Sequence, residues 1–144
     1  MKKTALYPCL AALLVSTAAT AGAELFRVDS KQYGSTKMDI VIRETERRPR
    51  SSLVEISIGN VGSSVGSSFF LLCSLRSLAR DRGYPRYIAK AENFPVRGTW
   101  LVAFLNGIDD DPGQVDKQLA DFAGSLPVID LEQFAPVCDR MNEP

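Results

Sequence analysis

The sequence predicts an α+β fold in two layers, with a mainly antiparallel sheet of about four strands packed against a central helix and further helices toward the C-terminus. Three observations carry that prediction. Strand-like segments come in two pairs, and each pair is followed by a helix-like segment. Within the first pair, apolar residues alternate with polar ones, the period of a strand with one buried face. Between the pairs, leucines and alanines recur at helical spacing. The composition, 45% hydrophobic and 24% charged, is that of an ordinary folded domain.

Residues 24–36 are polar and support at most a short first strand at Leu25 to Val28. Lys37 to Thr45 alternates, with Met38, Ile40 and Ile42 on one face. Glu46 to Ser52 reads as a turn, because Pro49 cannot continue a strand ladder. Leu53 to Ile58 is again strand-like, so the two segments form a hairpin with a basic loop.

Gly59 to Ser68 is the stretch richest in glycine and serine, and it leads into a helix from about Val65 or Ser67 to Arg82. Gly83 follows where a left-handed residue is favoured. Leu72, Leu75 and Ala79 form one stripe, flanked by Leu71 and Leu78. Cys73 falls on nearly the opposite side, beside Phe69 and Phe70, so that side needs a second cover.

Arg86 to Ala91 and Thr99 to Asn106 are two further strands. Asp109-Asp110-Asp111-Pro112 then opens a second helix, since an acidic cap followed by proline is a strong start signal. Val115, Leu119 and Phe122 give its buried stripe, and Gly124 ends it. Val128 and Ile129 form a short strand or an extended link. Asp130 to Cys138 reads as a short helix, bent or stopped near Pro136.

The run from Val65 through Leu78-Ala79-Arg80-Asp81-Arg82-Gly83-Tyr84 to Tyr87 resembles a group of small exported proteobacterial proteins and lipoproteins of unknown function. The resemblance covers about 25 residues. It implies a helix running into a strand and a location in the cell envelope, and it implies no activity.

Residues 1–23 have the parts of a secretory signal: Lys2 and Lys3, the apolar run Leu10 to Val15, and the small-x-small site Ala21-Gly22-Ala23, with Ala19-Thr20-Ala21 as an alternative cut. The apolar run is too short for a transmembrane span. Tyr7 and Pro8 before Cys9 do not fit a lipidation site. The expectation is a periplasmic protein made of one domain, residues 24–144, freed by cleavage. It keeps 15 basic and 17 acidic residues. A net charge of −2 argues against nucleic acid as partner. Cys73 and Cys138 are then the only cysteines in an oxidising compartment, and a disulfide between them is expected.

The chain contains no histidine, which excludes Ser-His-Asp and Cys-His catalysis and His-ligated zinc. No cofactor is expected. Ser67 and Ser68 lie where a strand-loop-helix could cradle an anion, but neither phosphate-loop nor dinucleotide spacing is present. Arg47, Arg48 and Arg50 could bind phosphate or carboxylate groups; a solubilising turn beside Glu44 and Glu46 is the simpler account. Asp109 to Asp111 lack the spacing of a calcium loop. Trp100, Tyr84 and Tyr87 fit a core or a strand face better than a sugar platform. Residues 24–98 carry a balance of +5 and residues 99–144 a balance of −7. The two parts either neutralise each other or form a dipolar surface that steers a partner or supports self-association.

The sequence therefore favours a non-catalytic periplasmic protein of envelope interaction or maintenance, with an envelope protein or anionic envelope component as partner. A small anionic-ligand binder using the Gly59–Ser68 loop or the Arg47–Arg50 hairpin is one alternative. A carboxylate-based hydrolase is another.

Overall fold

Alternating apolar residues and a proline-bearing turn build the longest feature, a hairpin of β2 (Asp39–Arg47) and β3 (Ser51–Asn60). The computed structural model describes residues 24–122 and 124–141; the segment read as a signal peptide, 1–23, lies outside them. Around the hairpin stand β1 (Arg27–Asp29), β4 (Tyr87–Ala91), β5 (Thr99–Leu105) and β6 (Ile129–Asp130). The strand order is β1-β2-β3-β5-β4-β6, and every pairing is antiparallel. The sheet thus has six strands rather than about four. The two additions are the very short edge strands β1 and β6, near the Leu25–Val28 and Val128–Ile129 segments that the sequence offered only as a short strand and a short strand or link.

The helix α1 (Ser64–Asp81) starts on the Ser63 side chain, which accepts from the Gly66 N–H. It ends at Arg82, followed by Gly83 at φ 82°. It covers one sheet face, where Ile40, Ile42, Val54, Ile56, Ile88, Val102 and Phe104 meet Phe70, Leu75, Leu78 and Ala79. The expected stripe is shifted. Leu72 is only half-buried, whereas Phe70, Ser74 and Arg76 are buried. The cause is a cover on the far side of the helix: α3 (Ala135–Met141) lies against α1 through the Cys73–Cys138 disulfide, and Tyr33 packs edge-on against Phe70 at 6.0 Å. Pro136 stands in the first turn of α3, where its missing N–H is unused, so it opens that helix instead of stopping it.

The second sheet face is covered as well, which makes the central part three layers rather than two. Ala89, Ala91, Leu101, Ala103 and Leu105 pack there against Leu119. The expected second helix is one turn, α2 (Pro112–Val115), capped by Asp111, and then a 3₁₀ turn over Lys117–Phe122. Asp116 breaks the helix between them by adopting an extended conformation, φ −140° and ψ 123°. Its carboxylate is held by Ser51 and Arg48 of the hairpin, and that tertiary pull overrides the helical pattern.

Candidate functional site

Two ends of the sheet concentrate the chemistry, and α1 runs between them. At the hairpin tip, between β2 and β3, stand Arg47, Arg48 and Arg50. Arg47 donates to both oxygens of Glu44, at 3.0 and 2.6 Å, and to Asp81 at 3.0 Å. Arg48 donates to Glu46 at 2.8 Å and to Asp116 at 2.9 Å, with Gln118 also accepting at 2.6 Å. Arg50 donates to the Phe104 carbonyl at 3.2 Å and to Asp110 at 3.0 Å, and lies over the Tyr84 ring. All three guanidinium groups are engaged by the chain's own acceptors.

Beneath them lies a buried charge cluster that sequence reading missed. Glu44 is 1% exposed and accepts from Arg47, from the Ser52 hydroxyl at 2.6 Å and from the Phe26 N–H at 3.1 Å. Arg82, from the cap of α1, donates to the Ser51 carbonyl at 3.0 Å, to the Ser52 hydroxyl at 2.5 Å and to the Arg48 carbonyl. One signal for Glu44 was present: it continues the inward-facing set Ile40 and Ile42, so an acid there required a buried partner. No local pattern pointed to Arg82 or to the hold of Asp116 on Arg48 and Ser51, since those partners are 30 or more residues away.

The electrostatics of the tip follow. Burial pushes the Glu44 carboxyl up, but hydrogen bonds from Arg47, Ser52 and the Phe26 N–H outweigh it and hold the group below its ordinary range. Asp116 behaves alike: burial raises it, and Ser51, the Gln118 N–H and Arg48 together lower it further. Burial pushes Arg82 down, against the pull of Glu44. Arginines 47, 48, 50 and 82 thus face five carboxylates, of Glu44, Glu46, Asp81, Asp110 and Asp116. The tip is balanced to slightly acidic, not cationic.

Ser67 and Ser68 are not part of this cluster. Their hydroxyls donate to the Ser64 carbonyl, at 3.1 and 2.8 Å, within the first turns of α1. Arg47 reaches Asp81 at the other end of that helix, about 20 Å away by helical rise. The two expected anion-binding groups are therefore separate. Asp110 serves Arg50 and the Asn106 N–H, and Asp111 caps α2.

The charge asymmetry along the sequence is largely neutralised within the fold. Arg48–Asp116, Arg50–Asp110, Arg76–Asp139, Arg76–Glu132 and Arg86–Asp130 all join the basic to the acidic part. The motif that resembles the exported group is likewise structural. Ala79 is in the core, Arg82 caps the hairpin, Gly83 turns the chain and Tyr84 stacks on Phe104 at 5.8 Å.

The opposite end of the sheet, where β3 leaves and β5 enters, has a different character. Among the described residues, the exposed aliphatic side chains Ile58, Val61, Val65 and Val96 lie there. Lys37 sits beside the Gly62–Ser63 turn that starts α1, and Arg97 follows Val96; both are exposed and join none of the ion pairs among the described residues. The remaining charges at this end are paired, Lys31 with Asp39 at 3.4 Å, Arg43 with Glu55 at 2.8 Å, and Lys90 with Glu92. A shallow groove of about 220 Å³ lies alongside, lined by Leu71, Leu72, Leu75, Trp100, Lys90 and Glu92. We refer to this region as the distal end.

No family model, curated protein or solved structure matches the chain.

Proposed function

We propose that this chain is a non-catalytic, exported interaction protein of the cell envelope, and that it meets its partner through the distal end. The observation that carries the reading is the coincidence there of exposed aliphatic side chains with two cations that the fold leaves unpaired. Exposed aliphatic side chains gathered at one end beside exposed cations mark a surface that something covers.

Two further features support it. Every carboxylate with a shifted pKa (Glu44, Glu46, Asp110, Asp116 and Asp130) is shifted downward. A general acid needs the opposite, a carboxyl held protonated near neutral pH. The signal-like residues 1–23 and the resemblance over Val65 to Tyr87 point to export into the envelope. The hairpin tip is in this reading a structural clamp rather than a binding site.

The test is affinity capture from envelope extracts with the exported protein, its intact mass first checked for a start at Glu24 without lipid. The reading predicts that envelope material is retained by the wild-type chain and lost with Val65→Asp/Val96→Asp. Retention unchanged by those substitutions, or a mass that still includes Met1, contradicts it.

A further inference from the structure

We infer that the partner of the distal end is an anionic lipid surface. This rests on the interaction reading above and narrows it to one chemistry. The four exposed aliphatic residues are carried by separate pieces of chain: Ile58 by the end of β3, Val61 by the turn after it, Val65 by the first turn of α1, and Val96 by the loop entering β5. A protein partner is held best by a few aromatic or arginine anchors seated in fitted pockets. The distal end offers small branched tips instead. Trp100, which lines the groove alongside, has its ring covered by the Lys90 ammonium at 4.5 Å. Dispersed apolar tips suit a fluid interface, which needs no shape complementarity and gains from each group that enters it.

Charge selects the type of lipid. Once Lys31, Arg43 and Lys90 are assigned to Asp39, Glu55 and Glu92, the excess at this end is Lys37 and Arg97, both positive. They flank the apolar tips from two sides, Lys37 beside the start of α1 and Arg97 beside Val96. Exposed cations next to apolar tips are drawn to phosphate headgroups within a Debye length, while the tips enter the acyl boundary.

The test is co-sedimentation of the protein, produced from the full-length gene, with vesicles of phosphatidylethanolamine containing or lacking phosphatidylglycerol. Binding should require phosphatidylglycerol and weaken as salt rises. Lys37→Ala/Arg97→Ala should reduce partitioning about thirtyfold at low salt. Val65→Asp/Val96→Asp should abolish pelleting. These four positions are exposed, so all variants should keep the wild-type unfolding midpoint. Ile108→Asp/Lys117→Ala changes an equally exposed pair outside the distal end and should bind as wild type. Pelleting that ignores phosphatidylglycerol, or that survives both distal double substitutions, overturns the inference. Absence of vesicle binding together with distal-dependent capture of an envelope protein also overturns it, while leaving the interaction reading in place.

Discussion

Glu44 and Arg82 meet 3.5 Å apart in the interior, although 38 residues separate them in the chain. One side chain comes from the middle of β2 and the other from the cap of α1. Their pairing, with Ser52 bonded to both, fixes the C-terminal end of the helix to the hairpin. It also fixes where β4 begins, because Gly83 and Tyr84 follow directly.

Removing either partner should be costly. Without Glu44 the buried Arg82 side chain loses its only carboxylate. Without Arg82 the hairpin carbonyls of Arg48 and Ser51 and the Ser52 hydroxyl lose their donor, while Arg47 still pairs with Glu44. Glu44→Ala and Arg82→Ala are each expected to lower unfolding free energy by about 3–5 kcal/mol. The two changes are coupled, so the double variant should lose much less than the sum of the singles. Urea unfolding monitored by circular dichroism checks this, and additive losses would show that the pair does not act as a unit.

Acid should unfold the protein through the same cluster. Glu44 and Asp116 have folded-state pKa values below their ordinary values of 4.5 and 3.8. Groups lowered on folding contribute stability that is complete above the unfolded pKa and is lost as pH falls through the folded one. Stability should therefore be flat from neutrality to about pH 5 and fall progressively below that. Unfolding midpoints measured between pH 7 and pH 3 test the sign; a maximum at pH 4 would contradict it.

The disulfide should stabilise mainly the C-terminal segment. Cys73 and Cys138 are 65 residues apart, and closing so long a ring contributes about 4 kcal/mol in the chain-entropy model. Cys138 is the only fully buried side chain of α3. Cys73→Ser and Cys138→Ser should destabilise to a similar extent, with the double variant little worse than either. Phe134 and Val137 should become protease-accessible in each. Two free thiols per chain in the denatured, unreduced protein would contradict the bond.

The strands and the central helix were legible because their signals are local. Alternation set β2 and β3, and leucine spacing with Gly83 set α1 to within a residue or two. The cysteine pairing was legible by elimination. Three things were not. The second cover of the sheet depends on Asp116 leaving helical geometry to reach Ser51, a contact spanning 65 residues. The burial of Arg76 depends on acids of the C-terminal segment, Glu132 and Asp139, which no local pattern assigns to it, although the need for a cover on the Cys73 and Phe70 side was legible. The pairing of Arg47, Arg48 and Arg50 depends on acids from α1 and from residues 110–116 as well as from their own hairpin. Sequence showed a basic loop partly offset by Glu44 and Glu46, and the fold adds Asp81, Asp110 and Asp116 to that compensation.

The distal end was illegible for a related reason. Ile58, Val61, Val65 and Val96 look like ordinary strand and helix residues, and it is the register between β3 and β5 that brings their segments to one edge. Lys37 and Arg97 gain significance only by the absence of acids left over to pair with them.

Amide hydrogen exchange of the protein, with and without phosphatidylglycerol-containing vesicles, tests most directly which end of the molecule interacts. Exchange should slow over residues 58–65 and 93–98 and stay unchanged over 46–51 at the hairpin tip. Protection of 46–51 with the distal segments unchanged would contradict the distal-end reading.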